Sequence, residues 1–125
     1  MAITEITPTA LVKGVTEGVV TQGAGTAINV ADTMEIIYPK EGKLLLWVDS
    51  DHANTACIIS AGNSGVATGL GALTWAVGNG IAEVLLPDSD RHLKKVGLGS
   101  SAFKGCIEIS WHADSAGFVR AFYLP

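Results

Sequence analysis

Three histidines stand close to carboxylates, in Asp51-His52-Ala53, Asp90-Arg91-His92 and Trp111-His112-Ala113-Asp114. An imidazole oriented by a carboxylate is the base of a hydrolytic triad, and the same two groups suit divalent metal ions. Each histidine nevertheless has a turn context, and no nucleophile elbow of the GxSxG kind accompanies them. HxH, HExxH and paired Cys/His spacings are also missing, so neither a catalytic nor a metal-ligating set is expected.

Three glycine pairs invite testing as phosphate cradles: Gly23-Ala24-Gly25, Gly69-Leu70-Gly71 and Gly97-Leu98-Gly99. None has the third glycine of GxGxxG or a following GK[ST], and no helical pattern follows to offer an N-terminus to an anion, so no cofactor is expected. Trp47, Trp75 and Trp111 would suit a sugar-stacking platform, but each alternates with Leu, Val or Ile and reads as a core or interface residue. Glu83 and Glu108 read as solvent-facing strand residues, since nothing fixes the separation that a glycosidase pair requires. Cys57 and Cys106 lie in apolar runs without a CxxC spacing, and with no export signal at the start they read as reduced structural thiols.

The elements that would position these residues are nearly all strands. Hydrophobic residues make up 48% of the 125 positions and charged residues 16%, which argues for a well-filled core and against disorder. A net charge of −4 with scattered Lys and Arg leaves no footprint for nucleic acid, and no apolar run is long enough to span a bilayer as a helix. Short β-type runs alternate with Gly, Asn, Asp and Ser clusters. Strands are expected over 34–38, 43–48, 55–59, 73–77, 81–86, 106–111 and 118–124.

Lys43-Leu44-Leu45-Leu46-Trp47-Val48 is apolar on both faces, which places it mid-sandwich or beneath a partner chain. Asp49-Ser50-Asp51 should end it. Asn79-Gly80 between alternating runs is a strong hairpin signal, and Arg91-His92-Leu93-Lys94-Lys95 reads as a solvated surface connector. Residues 1–26, rich in Thr, Gly and Val, form an extended N-terminal arm or edge region. The expectation is one all-β domain over 1–125, a β-sandwich or small barrel of jelly-roll-like type with about seven or eight strands and little helix.

Two stretches carry a family resemblance: Ile28-Asn29-Val30-Ala31-Asp32-Thr33-Met34-Glu35-Ile36 with Gly42-Lys43-Leu44-Leu45-Leu46, and the ending Gly117-Phe118-Val119-Arg120-Ala121-Phe122-Tyr123-Leu124-Pro125. Val84-Leu85-Leu86-Pro87 followed by Ser89-Asp90-Arg91-His92-Leu93-Lys94 adds to it. Together they resemble small tailed-phage head decoration proteins that cement a capsid. That resemblance implies a non-enzymatic virion protein, made in the host cytoplasm and bound to the outer capsid surface. Its implied partner is the major capsid protein, and its implied form a homo-oligomer, with a trimer favoured. Under it the start of the chain would order on the shell as an added strand, making Ile3, Thr4, Glu5 and Ile6 the candidate contacts, removable without harm to the fold. The competing expectation is a carbohydrate- or receptor-binding β module of a phage tail or fibre, with the tryptophans on one rim.

Overall fold

The computed structural model of the chain describes residues 3–14, 25–37, 44–63, 69–94 and 105–124. They form β1 (Ile3–Ile6), β2 (Thr9–Ala10), β3 (Thr26–Ala27), β4 (Thr33–Ile37), β5 (Leu44–Ser50), β6 (Ala56–Ile59), β7 (Leu73–Ala76), β8 (Ala82–Leu85), a single-turn helix α1 (Ser89–His92), β9 (Leu93–Lys94), β10 (Cys106–Trp111) and β11 (Gly117–Tyr123). The first sheet has the order β1-β4-β10-β6-β7, with β9 also on β10; the second has β2-β11-β5-β8, with β3 also on β11. Both sheets stay open, so a sandwich forms and not a barrel. All pairings are antiparallel except β1 with β4 and β2 with β11.

Period-two alternation fills the core from both sides. On the first sheet Ile107 stands opposite Ile36 and Ile109 opposite Met34, all fully buried. Cys57, Ile59 and Trp111 extend that face, and Leu44, Leu46, Val48, Val119 and Ala121 meet it from the second sheet. The Trp111 indole N–H donates to Met34 Sδ at 3.0 Å, which gives its one polar atom a partner inside the core.

Several expectations change. Asp49 and Ser50 do not end β5 but belong to it, and both are buried. Asn79-Gly80 is not a hairpin turn, because β7 lies in the first sheet and β8 in the second. Only Gly80 has positive φ (71°), whereas a type I′ turn needs it at both central residues. The turn is held instead by the end of β5, where Gly80 N–H donates to the Ser50 carbonyl and Ser50 N–H to the Ile81 carbonyl. The basic segment is not a solvated connector either. Arg91 donates to the carbonyls of Gly71 (3.2 Å) and Ala72 (3.0 Å), Gly62 N–H donates to the Arg91 carbonyl (2.7 Å), and His92 is only 1% exposed. Tyr38 and Lys43, expected in strands, lie outside the described residues, as do residues 15–24 of the N-terminal region and residues 95–104.

Two connections between the sheets are near copies of one another. His52-Ala53-Asn54-Thr55-Ala56 leads from β5 to β6, and His112-Ala113-Asp114-Ser115-Ala116 from β10 to β11. In each, the histidine Nδ1 accepts the N–H two residues on, at 3.0 Å from Asn54 and 3.3 Å from Asp114. The histidine carbonyl accepts the N–H three residues on, from Thr55 and Ser115 respectively. The hydroxyls then cross over: Thr55 donates to the Ala116 carbonyl and accepts Ala116 N–H, while Ser115 donates to the Ala56 carbonyl and accepts Ala56 N–H. This is a local two-fold. It extends into the sheets, where β4-β10-β6 matches β8-β5-β11 in order and in antiparallel sense.

Candidate functional site

The outer faces of the two sheets differ in chemistry. On the first, register sets Glu5 opposite Glu35 and Glu35 opposite Glu108, a row of carboxylates across three strands. Like charges in that position repel, and local donors are arranged along the row: Cys106 Sγ–H points to Glu35 Oε2 at 3.4 Å, and the Ser60 hydroxyl donates to Glu108 Oε1 at 3.3 Å. Glu35 is fully buried.

On the second sheet the outward positions are largely apolar, with the buried Asp49, between Phe118 and Ala82, and Arg120 as the charged members of β5 and β11. Since Leu46 and Val48 face the core, Leu45 and Trp47 face out, with Val84 opposite Trp47, Arg120 on its other side and Phe122 opposite Leu45. Phe118, Ala82 and Leu86 continue the face by the same parity. The Arg120 guanidinium carbon lies over the Phe122 ring, 4.7 Å from its centroid. Val84 and Leu86 on this face are 55% and 57% exposed, and Ile81, of the opposite parity just before β8, is 49% exposed. A contiguous apolar patch on a folded domain marks an interaction surface.

The residues singled out for chemistry do not converge. His52 and His112 are exposed and belong to the paired turns, whereas His92 is buried on α1. Burial pushes the His92 imidazole below its ordinary value, against the bond from its Nδ1 to the Ser60 carbonyl (3.0 Å). His92, Ser60 and Glu108 thus form a chain, but the imidazole meets the serine's backbone oxygen and the hydroxyl is turned to the glutamate. That is a packing arrangement, not a base addressing a nucleophile. Among the described residues no three His, Cys, Asp or Glu side chains are grouped to hold a metal ion. Glu83 and Glu108 stand in different sheets, and Glu83 takes the core-side parity of β8, where it accepts Gly78 N–H at 3.4 Å.

Cys57 and Cys106 are both buried; Cys57 faces the core, where burial pushes its thiol up to about 12. Of the glycine pairs, Gly69-Leu70-Gly71 is described, while Gly23 and all of Gly97-Leu98-Gly99 lie outside the described residues. The tryptophans part company: Trp111 is core, Trp75 packs partly buried against the core, and Trp47 faces outward, half-buried.

The proposed contacts at the start of the chain are woven into the fold. Ile3 and Thr4 are half-buried, Glu5 is exposed, and Ile6 is buried in the core beside Ile36. The Thr4 hydroxyl donates to Asp32 Oδ2 at 3.1 Å. Ile6 therefore acts as a core residue, and removing residues 2–8 would strip β1 from the first sheet. The chain is thus an all-β, sandwich-like domain of two open sheets, with a row of carboxylates on the outer side of one and a largely apolar outer side on the other. Comparison with protein-family models, curated proteins and solved structures finds no match.

Proposed function

We propose that this chain is a non-enzymatic virion structural protein that binds the outer surface of a phage capsid, through contacts with the major capsid protein, and stabilises the shell. The observation that carries this reading is the apolar outer face of the second sheet, Leu45, Trp47, Val84, Leu86 and Phe118. A face of this kind on a domain of this size gains most by being covered in an assembly. The family resemblance of the sequence supplies the identity of the assembly. The N-terminal residues enter this reading through the exposed Glu5 on edge strand β1, with Ile6 holding the strand down.

The test is the copy number of the chain relative to the major shell protein in purified particles. A near-stoichiometric amount supports a head decoration protein, and absence from particles refutes it. The outward Trp47 favours a second reading, a carbohydrate- or receptor-binding module of a tail or fibre, with the indole as a stacking surface. Few copies per particle and glycan-array binding lost in Trp47→Ala would establish that one instead.

A further inference from the structure

The internal two-fold superimposes β4 on β8, and the two strands differ in what lies on their outer edges. Pairing positions make Thr33, Met34, Glu35 and Ile36 equivalent to Ala82, Glu83, Val84 and Leu85. β4 is covered by β1, whose Ile3 to Ile6 pair with those four residues. No described strand pairs with the corresponding edge of β8.

Hydrogen-bond phase shows what that edge presents. Ser50 N–H donates to the Ile81 carbonyl, so Ile81, Glu83 and Leu85 direct their backbone groups toward β5. Ala82, Val84 and, by continuation, Leu86 then direct theirs away from the sheet. These same residues point their side chains to the apolar outer face, and Val84 and Leu86 are more than half exposed. Natural edges are blunted by Lys, Pro or a bulge. β8 has none of these within Ala82–Leu85, and its one charge, Glu83, has the core-side parity and a local partner in Gly78.

We infer that β8 pairs antiparallel with β8 of a second copy across a two-fold axis through Val84. The edge is self-complementary about that residue. Val84 falls on Val84, and small Ala82 falls opposite large Leu86 in both directions. Each outward N–H and C=O of the three residues meets its counterpart, and no like charges face one another on the apolar side. The joined sheets would run β11-β5-β8 into β8-β5-β11 of the partner and bring the two Trp47 positions onto one continuous face. An isologous contact of this kind closes as a dimer, in contrast to the trimer implied by the resemblance, and it stands whether or not the chain belongs to a virion.

The test combines sedimentation equilibrium of the full chain with site-resolved amide exchange. The wild-type chain should form a dimer, with the amides of Ala82, Val84 and Leu86 protected in the dimer and fast in the monomer. Val84→Lys and Val84→Glu each set like charges against each other at the axis. Each should weaken self-association by roughly 100-fold or more, since like-charge juxtaposition costs several kcal/mol. An equimolar mixture of the two should associate again, which only a contact of residue 84 with itself explains. Circular dichroism of each variant checks the fold. A chain that stays monomeric at millimolar concentration overturns the inference. So does an oligomer whose three amides remain unprotected, or a mixture of variants that fails to recover association.

Discussion

Replacing Thr55 by Val tests whether the crossed turns hold the two sheets together. Thr55 is 1% exposed, and its hydroxyl both donates to the Ala116 carbonyl and accepts Ala116 N–H, each at 3.2 Å. Valine keeps the branched shape and removes both bonds at once. Each net hydrogen bond is worth about 1 kcal/mol, and a stranded buried backbone group adds about 1–3 kcal/mol. Ala116 is only half-buried, so water recovers part of the second cost. The expected loss is therefore about 2–3 kcal/mol, or a fall in Tm of roughly 6–15 °C for a domain of this length. Urea titration with unchanged m-value measures it. Thr55→Ser, which keeps the hydroxyl, should stay within about 1.5 kcal/mol of wild type. A loss below about 0.5 kcal/mol in Thr55→Val, with the fold intact, would refute the bracing role. The Ser115→Ala variant should behave alike, and the double variant should depart from additivity by at least about 0.5 kcal/mol, because both hydroxyls brace one crossing.

Other outcomes follow from single positions. Gly117→Ala should cost more than about 3 kcal/mol or prevent folding, because φ is +132° and the added Cβ would overlap the Asp49 carbonyl oxygen; thermal melts decide it. Ile6→Ala should cost about 2–4 kcal/mol in denaturant titration, and a near-neutral result would mean that β1 is dispensable after all. Because burial lowers the pKa of His92 in the fold, the unfolded chain takes up its proton first as pH falls. Stability should be full above about pH 6.5 and fall below it, by at most about 1.4 kcal/mol per pH unit for this one proton. A His92→Asn variant should show a flatter profile between about pH 7 and 5, and parallel profiles would exclude the effect. The Cys57 thiol, pushed up to about 12 by burial, should resist alkylation near pH 8 until urea unfolds the chain, as a time course read by mass spectrometry would show.

How much of this was legible in the sequence depends on the length scale of each signal. Alternation in Ile107, Ile109 and Trp111, or in Leu44, Leu46 and Val48, identifies strand and core face together. Alternation is silent on which sheet a strand joins, and Asn79-Gly80 shows why: a tight turn serves equally to reverse a strand or to carry it across the sandwich. Two-residue strands such as β2, β3 and β9 have no period to detect, so the described residues alone hold eleven strands where about seven or eight were expected. Trp47 lies between Leu46 and Val48, and Trp111 two residues beyond Ile109; the parity of each within its sheet separates the outward indole from the buried one. One further signal is open in the sequence. His-Ala-Asn-Thr-Ala and His-Ala-Asp-Ser-Ala repeat sixty residues apart, from 52 to 112, and mark the internal two-fold.

The chain changes sheet between β1 and β2, β3 and β4, β4 and β5, β5 and β6, β7 and β8, β8 and β9, and β10 and β11. That routing has a kinetic consequence. A sheet assembled from successive hairpins can grow by local steps, but here β5 must find β11 and β4 must find β10 across most of the chain before either sheet has an interior strand. Loop closure is then charged in advance of the contacts that reward it, and the rate belongs to the millisecond-to-second range of high contact-order domains. Neither sheet can serve as a template for the other, so the transition state should contain parts of both, with the crossing of Thr55 and Ser115 at their junction.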